Sequence, residues 1–333
     1  MRVLVTGAAG FVGLNLVRRF AAGGADVDAL ARAAPDAAAE AFLEGVSGRV
    51  TWRIGDVTDR QGCAAIVEAT RPEAIVHAAA VTFTPDQERA QPARVFDVNA
   101  GGTLNLLEAA RLHDVSTFVY VSSGGLYGAA PPTPAMDEST PMRPVNVYAI
   151  SKIASEQLCA RYAEMGVLQA RVGRLGTAYG PMERTTGSRS NLSAVHQVVQ
   201  ASETGASLRV TGADIARDFC HIDDVVEAFW LLCVTPGLRE IVYNVSAPVA
   251  EPLSVALDVL VAERPGFSWR AVDDPASADV RQTPANARAA MDVTRLMRDT
   301  PWRPQYPLRE GVHAYLAWRS ANQRIVGSME SRV

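Results

Sequence analysis

Tyr148 and Lys152 stand four residues apart in Tyr148-Ala149-Ile150-Ser151-Lys152, a spacing that sets both side chains on one face of a helix. A free phenol titrates at about pH 10. An ammonium beside it favours the phenolate and is expected to bring that value towards neutrality. Such a phenol can give a proton to a carbonyl or take one from an alcohol. Lys152 is the one lysine among 32 lysines and arginines, so a chain that otherwise uses arginine for its cations places a compact ammonium here. With eight tyrosines in 333 residues, a chance Tyr-to-Lys spacing of four is uncommon. Ser122 and Ser123 close an apolar run just upstream, where a hydroxyl can hydrogen-bond a reacting oxygen.

A second constellation lies at the start of the chain. Thr6-Gly7-Ala8-Ala9-Gly10-Phe11-Val12-Gly13 falls between a short apolar run and a helical one. Glycines there permit a tight turn, close approach of backbone to a pyrophosphate, and close helix packing. The helix that follows offers free N–H groups and a positive dipole end to an anion. Gly7, Gly10, Phe11, Val12 and Gly13 are therefore candidate dinucleotide contacts. The charge of an oxidised nicotinamide would add to the effect of Lys152 on Tyr148.

Elements with an alternating order must position these groups. Short apolar strands are expected at 3–6, 26–30, 50–54, 74–77 and 117–122, and helices at 11–22, 36–44, 59–70, 94–112 and 147–165. That alternation indicates βαβ units and a doubly wound, Rossmann-like parallel sheet covered on both faces. Past Arg174 the pattern loosens into a Gly/Pro/Thr/Arg-rich loop at 180–189, a helix at 192–202, and a mixed segment ending in a helix at 311–318. We divide the chain into a dinucleotide-binding domain at 1–175, a smaller α/β substrate lobe at 176–320 over the carboxyl ends of the strands, and a loose tail at 321–333. Pro131-Pro132-Thr133-Pro134 reads as a loop.

Further cofactor contacts follow from strand ends. The second strand ends Leu30-Ala31-Arg32, where NAD enzymes usually present a carboxylate to the ribose. An arginine there suits a 2′-phosphate, so NAD(P) is expected with a preference for NADP. Asp56 and Val57 follow the third strand, where the carboxylate could accept from an adenine amino group. Ala78, Ala79 and Ala80 end the fourth, where small side chains let a flat cofactor lie on the backbone. His77 is expected to pack rather than to catalyse.

Composition sets bounds. A net charge of −4 points to no nucleic-acid or membrane-surface partner. Cys63, Cys159, Cys220 and Cys233 show no metal-like spacing and suggest reduced thiols. No signal-peptide pattern opens the sequence and no apolar run reaches the roughly 18 residues of a bilayer span. A cytoplasmic enzyme with a small-molecule substrate is the expectation.

Together these segments resemble the extended short-chain dehydrogenase/reductases, the NAD-dependent epimerase/dehydratase family. The likeness runs through Thr6 to Gly13, Gly55-Asp56, His77-Ala78-Ala79, Val98-Asn99-Ala100-Gly101-Gly102-Thr103 and Ser122-Ser123-Gly124-Gly125-Leu126-Tyr127-Gly128. It continues through Tyr148 with Lys152, Arg174 with Tyr179-Gly180-Pro181, Arg217-Asp218-Phe219-Cys220-His221-Ile222-Asp223-Asp224 and Pro301-Trp302-Arg303-Pro304. The resemblance implies Ser123 as the catalytic serine. Asn99 becomes a helix-kink residue near the cofactor that supports a proton relay. It also implies a homodimer packed through the helices at 94–112 and 147–165, with Ala154, Leu158, Ala160 and Tyr162 as outward-facing candidates.

Departures from the pattern narrow the chemistry. The acidic residues that family dehydratases and decarboxylases carry after the catalytic hydroxyl are Gly124 and Gly125 here, and the Cys of the epimerase-reductases is also replaced by Gly125. Alcohol/carbonyl redox and 4-epimerisation through a transient ketone remain. For a UDP-sugar diphosphate, Arg217 and Asn191 match the resemblance, while Thr177 replaces an Asn and Ala276 a second Arg, with Arg281 a candidate to compensate. Arg184 and Arg189 could hold a different anion, such as a sugar carboxylate. The expectation is an NAD(P)-dependent oxidoreductase acting on a secondary alcohol or ketone of a sugar-like or sugar-acid substrate; the alternative is a UDP-sugar 4-epimerase with tightly bound NAD. A non-enzymatic dinucleotide sensor on this fold would be expected to have lost Tyr148 or Lys152.

Overall fold

Short runs of apolar residues become central strands only when both faces of the sheet are covered. In the computed structural model, which describes residues 1–128, 135–186, 189, 191–205, 207–283 and 287–330, this is how the first half of the chain folds. The order is β1 (Arg2–Thr6), α1 (Phe11–Ala22), β2 (Asp26–Ala31), α2 (Ala37–Phe42), β3 (Val50–Ile54), α3 (Arg60–Thr70) and β4 (Ala74–His77). Two short helices follow, α4 (Pro85–Ala90) and α5 (Pro92–Phe96). Then come a π-helical turn (Asp97–Gly101), α6 (Gly102–Leu112), β5 (Thr117–Ser123), α7 (Val147–Glu164) and β6 (Gln169–Leu175). The loop expected at 131–134 lies outside the described residues.

The remainder runs β7 (Thr177–Tyr179), α8 (Ala194–Ser202), β8 (Ser207–Thr211), β9 (Ala216–Arg217), β10 (Phe219–His221), α9 (Ile222–Val234) and β11 (Val242–Val245). It ends with β12 (Glu251–Pro252), α10 (Ser254–Glu263), β13 (Ser268–Ala271), β14 (Val280–Arg281), α11 (Thr294–Asp299), α12 (Leu308–Ala321) and α13 (Gln323–Glu330).

Seven strands form one parallel sheet in the order β11-β6-β5-β4-β1-β2-β3. Alternate residues feed opposite cores. Val3, Val5, Val76 and Val119 pack with Phe11, Leu14 and Phe20 of α1 on one side, and Leu4, Ile75, Phe118 and Tyr120 pack with Leu106 and Leu107 of α6 on the other. The order reverses between β1 and β4, and the crevice outside the carboxyl ends of those strands is where open α/β sheets bind ligands. β11 returns from the C-terminal half to the edge beside β6, so the chain crosses between the two lobes. The smaller lobe has its own core, built from α8, α10, α12 and the sheet β13-β8-β14.

Two expectations change. The helix expected at 94–112 is broken by the π turn. The Asn99 carbonyl accepts from the Thr103 hydroxyl at 2.6 Å and from the Ser155 hydroxyl at 3.1 Å, which draws it out of the helical ladder. The expected tail is, up to Glu330, the helix α13, whose Ile325, Val326 and Met329 are buried, two of them in the core that also holds Ala38, Ala39 and Phe42 of α2. Three apolar residues within five positions make a stripe too short to stand out beside the Arg and Ser around it.

Candidate active site

Gly7 has φ +67°, and a Cβ added there would lie 2.7 Å from the Ala79 nitrogen. A Cβ on Gly13 would lie 2.0 Å from the Gly7 carbonyl oxygen, so both positions need a bare backbone. Gly10 precedes α1 without a side-chain cap, so the first turn of that helix keeps N–H groups for an anion at the cavity wall. Gly7, Gly10, Phe11, Val12 and Gly13 line this cavity, as do Arg32, Asp56, Val57, Ala78, Ala79 and Ala80. A glycine cradle that any Cβ would fill, below an uncapped helix end, fits a dinucleotide pyrophosphate.

Neighbouring polar groups hold the cradle in shape. The Thr6 hydroxyl accepts from the Ala79 N–H at 3.2 Å and meets His77 Nδ1 at 2.7 Å, while His77 Nε2 reaches the Thr103 hydroxyl at 3.1 Å. Burial, with the Lys152 charge nearby, pushes His77 down to about 3, so it is a neutral structural link. Asp56 accepts from the Thr58 N–H and hydroxyl, both at 2.9 Å, and the cap of α3 is Asp59 instead. Burial raises the Asp56 carboxyl, but the Thr58 bonds and the Arg32 and Arg94 charges outweigh it and leave it below its ordinary value. Asn99 does not line the cavity: its side chain accepts from Val81 N at 2.9 Å and donates to the Ser151 hydroxyl at 3.0 Å. It shapes the wall, and Val98 takes the lining position expected of it.

The candidate reacting groups sit three strands away from the β2 edge of the cavity. β5 delivers Ser123 at its carboxyl end, and α7, capped by Asn146 accepting from Ala149 N at 2.8 Å, delivers Tyr148 and Lys152. Lys152 is 3% exposed; its Nζ donates to the Val121 carbonyl at 2.8 Å and lies 4.7 Å from the Tyr120 ring centre and 5.7 Å from that of Tyr148. Burial lowers its ammonium to about 7 against the pull of Glu156 and Cys159. Tyr148 departs from the sequence expectation. Burial raises its phenol above the ordinary value, and the hydrogen bond with Ser123 and the charges of Arg189 and Arg288 offset this only in part. The pair of serines divides its work: Ser122 donates to buried Glu156 at 2.5 Å, itself paired with Arg174 at 2.8 Å, while Ser123 reaches Tyr148.

The substrate end differs from its expected form. Thr177, Asn191 and Arg217 line the cavity. Arg217 Nε donates to the Thr177 hydroxyl at 3.0 Å, which in turn donates to buried Asp218 at 2.9 Å. Arg184 and Arg189 are not a free anion pair. Arg184 is bonded to Asp36 at 3.1 Å, at the α2 end of the cavity, and Arg189 is paired with Glu183 at 2.7 Å and lies over the Phe11 ring at 5.1 Å. Arg281 does line the cavity, and so does Arg288, which sequence reasoning missed. Both come from the segment after β13, where no hydrophobic period marks which side chains turn inward. Ala276, in a turn at 275–277, stays outside the lining.

A cavity of about 950 Å³ thus joins the glycine cradle to Ser123, Tyr148 and Lys152. A doubly wound sheet with that cradle at its switch point and that trio on the adjoining strand and helix has the form of the short-chain dehydrogenase/reductase class. The chain belongs to the NAD dependent epimerase/dehydratase family, whose model matches residues 3–246. It is 31% identical to a GDP-6-deoxy-D-mannose reductase of Pseudomonas aeruginosa over 75% of this chain and 81% of that one. It is also 31% identical to a UDP-glucose 4-epimerase of Mycolicibacterium smegmatis, over 94% and 96% of the two chains. Among solved structures it superposes on the UDP-glucose 4-epimerase of Thermus thermophilus in complex with NAD with a TM-score of 0.77 and 27% identity, covering 97% of this chain and 100% of that one. No helix among the described residues is long and apolar enough to cross a membrane, and no cluster of three metal-ligating side chains occurs among them.

Proposed function

We propose that this enzyme performs alcohol/ketone redox chemistry on the sugar of a nucleoside-diphosphate sugar, with Ser123, Tyr148 and Lys152 as the reacting set. The observation that carries the reading is that these three side chains open onto the same cavity as the glycine cradle. A nicotinamide dinucleotide held by Gly7, Gly10, Phe11, Val12, Gly13, Ala78, Ala79 and Ala80 supplies or accepts the hydride. The Ser123 hydroxyl orients the sugar oxygen. The Tyr148 hydroxyl exchanges a proton with that oxygen. Lys152, fixed on the Val121 carbonyl, presents a charge to the phenol and to the cofactor ribose. With Arg281 in the lining beside Arg217, two guanidiniums are available for a diphosphate, which moves the reading from a free sugar acid to a nucleotide-linked sugar. The reductase and epimerase named above support that substrate class.

Arg32 lines the adenosine end with no carboxylate at Ala31. One Arg184 η nitrogen nearby is buried without a partner among the described residues, which a 2′-phosphate would satisfy. Both favour NADP. A homodimer is supported by the apolar groove of Phe96, Ala100, Gly101, Leu104, Ala154 and Leu158 on α5–α7. Tyr162 is not part of that face, because its hydroxyl is turned onto Glu108 and the residue is buried. Four unpaired thiols support a cytoplasmic location.

A second reading, 4-epimerisation, is favoured by one observation. The Arg184–Asp36 pair and Met329 of α13, from distant parts of the chain, line the same cavity, as suits a cofactor that stays bound through the cycle. Native mass spectrometry decides between them: retained dinucleotide after purification supports the epimerase, and an empty protein that reduces added cofactor supports the dehydrogenase. No turnover with any nucleoside-diphosphate sugar would overturn both.

A further inference from the structure

One charged side chain at the substrate end has no place in the chemistry so far. Gly124 follows Ser123, and a Cβ built on it would lie 2.6 Å from Met291 Sδ and 3.0 Å from Arg288 Nη1. The absent side chain at 124, the residue after Ser123, thus leaves room for the guanidinium. The Arg288 side chain is 15% exposed, lines the cavity, and brings Nη1 to 3.5 Å from Asp218 Oδ2. It is close enough to Tyr148 to act on the phenol's charge.

Asp218 is an insufficient counterion for what surrounds it. It is fully buried and already accepts from Thr177 at 2.9 Å and from Ser246 at 3.4 Å. Arg217 leans on the same carboxylate, and burial together with the Arg288 charge depresses the Arg217 guanidinium to about 10. So Arg217 and Arg288 share one carboxylate, and Arg281 opens onto the same cavity. A diphosphate neutralises Arg217 and Arg281. Arg288, which packs against Gly124 and acts on the Tyr148 phenol, is left short of negative charge.

Resting on the assignment of Ser123, Tyr148 and Lys152 as the reacting set, we propose that the Arg288 guanidinium, where it lines the cavity, forms a carboxylate site. The preferred substrate is then a nucleoside-diphosphate sugar whose ring carbon next to the oxidised one carries a carboxylate. Guanidinium and carboxylate match as two parallel N–H···O bonds, which fixes the sugar face as well as adding affinity. A neutral hydroxymethyl group in the same place leaves a largely dry guanidinium under-paired, which costs binding. A side chain at position 124 would press on Met291 and Arg288, so the glycine leaves the guanidinium in its place.

The test compares uridine- and guanosine-diphosphate-linked hexuronates with the matching neutral hexoses. Wild type, Arg288→Gln and Arg288→Lys are assayed for kcat/KM by nicotinamide absorbance and product chromatography, and for calorimetric binding to the NAD(P)-loaded protein. Wild type should favour the hexuronate by roughly ten- to a hundred-fold in kcat/KM and in affinity. Arg288→Gln should lower the hexuronate-to-hexose ratio of kcat/KM by roughly ten- to a hundred-fold, whatever it does to the hexose itself, and Arg288→Lys should keep part of the preference. Equal use of both sugars by wild type, or an equal loss on both in Arg288→Gln, overturns the carboxylate site. If Arg288→Gln does not fold, the wild-type ratio and the Lys variant decide. Turnover of neutral sugars alone leaves the redox reading standing without this site. Hexuronate binding that depends on Arg288, with no turnover of any sugar, keeps the site and overturns the redox reading.

Discussion

The two ends of the one cavity are built from different materials. At the cofactor end the binding groups are backbone, exposed by Gly7, Gly10 and Gly13 and framed by strands with both faces buried. At the proposed substrate end they are side chains, Arg217, Arg281 and Arg288, the first and last of which lean on one buried carboxylate. The first end tolerates almost no change of shape, because its geometry is the main chain itself. The second can be retuned one guanidinium at a time, which is how one fold serves many sugars.

The reacting set lies between the two ends, and its loss should give the largest effect. Tyr148→Phe should lower turnover by on the order of 10²–10⁴ while leaving dinucleotide affinity within a few fold. Lys152→Ala should impair both, since the ammonium serves phenol and ribose. Steady-state kinetics with fluorescence titration of the cofactor check the pair, and near-native turnover in Tyr148→Phe would remove the phenol from the mechanism.

Next comes the rigidity of the cradle. Gly13→Val drives a side chain into the Gly7 carbonyl and should abolish measurable dinucleotide binding, with a stability loss of about 1–3 kcal/mol. Thr177→Ala, at the other end, should leave cofactor binding unchanged and shift only the sugar KM. Calorimetry on both variants would break the comparison if their effects came out alike.

A smaller effect is expected where a side chain intrudes on the backbone-built end. Arg32→Asp should swing preference from NADP to NAD by roughly ten- to a hundred-fold, read as the ratio of the two dissociation constants. Equal wild-type affinities would mean that Arg32 faces solvent.

The smallest effect is on stability against pH. Burial holds Lys152 at about 7 in the folded protein against an ordinary 10.5. Between those values the unfolded chain keeps a proton the folded chain has released, so this residue adds stability as pH rises through that window. Lys152→Met removes that contribution. The Tm advantage of the variant over wild type should shrink from about pH 7 to about pH 9, and a constant difference would show that Lys152 stays charged when folded.

The same contrast explains what could be read from residues alone. The strands at 50–54 and 74–77 and the helix at 11–22 agree with the structure to the residue, because buried periodicity and glycine turns are local signals. Tyr148 with Lys152 was legible for the same reason, as two residues one helical turn apart. The ion pairs of Arg184 and Arg189 are not legible in the sequence, because an arginine in a loop carries no mark of its partner, and Asp36 lies 148 residues away from Arg184. Arg288 was overlooked for want of any local pattern, and what reveals it is the missing Cβ of Gly124, a contact made across 164 positions of chain.

Met329 lies on the wall of a cavity whose first glycine is residue 7. The cradle needs Ala78 and Ala79 packed on Gly7 and the same cavity's wall needs Met329, so residues 322 positions apart must meet before that cavity is complete. Loss of α13 is therefore expected to loosen cofactor retention without touching the glycines, Tyr148 or Lys152, an influence on binding exerted from outside the sheet.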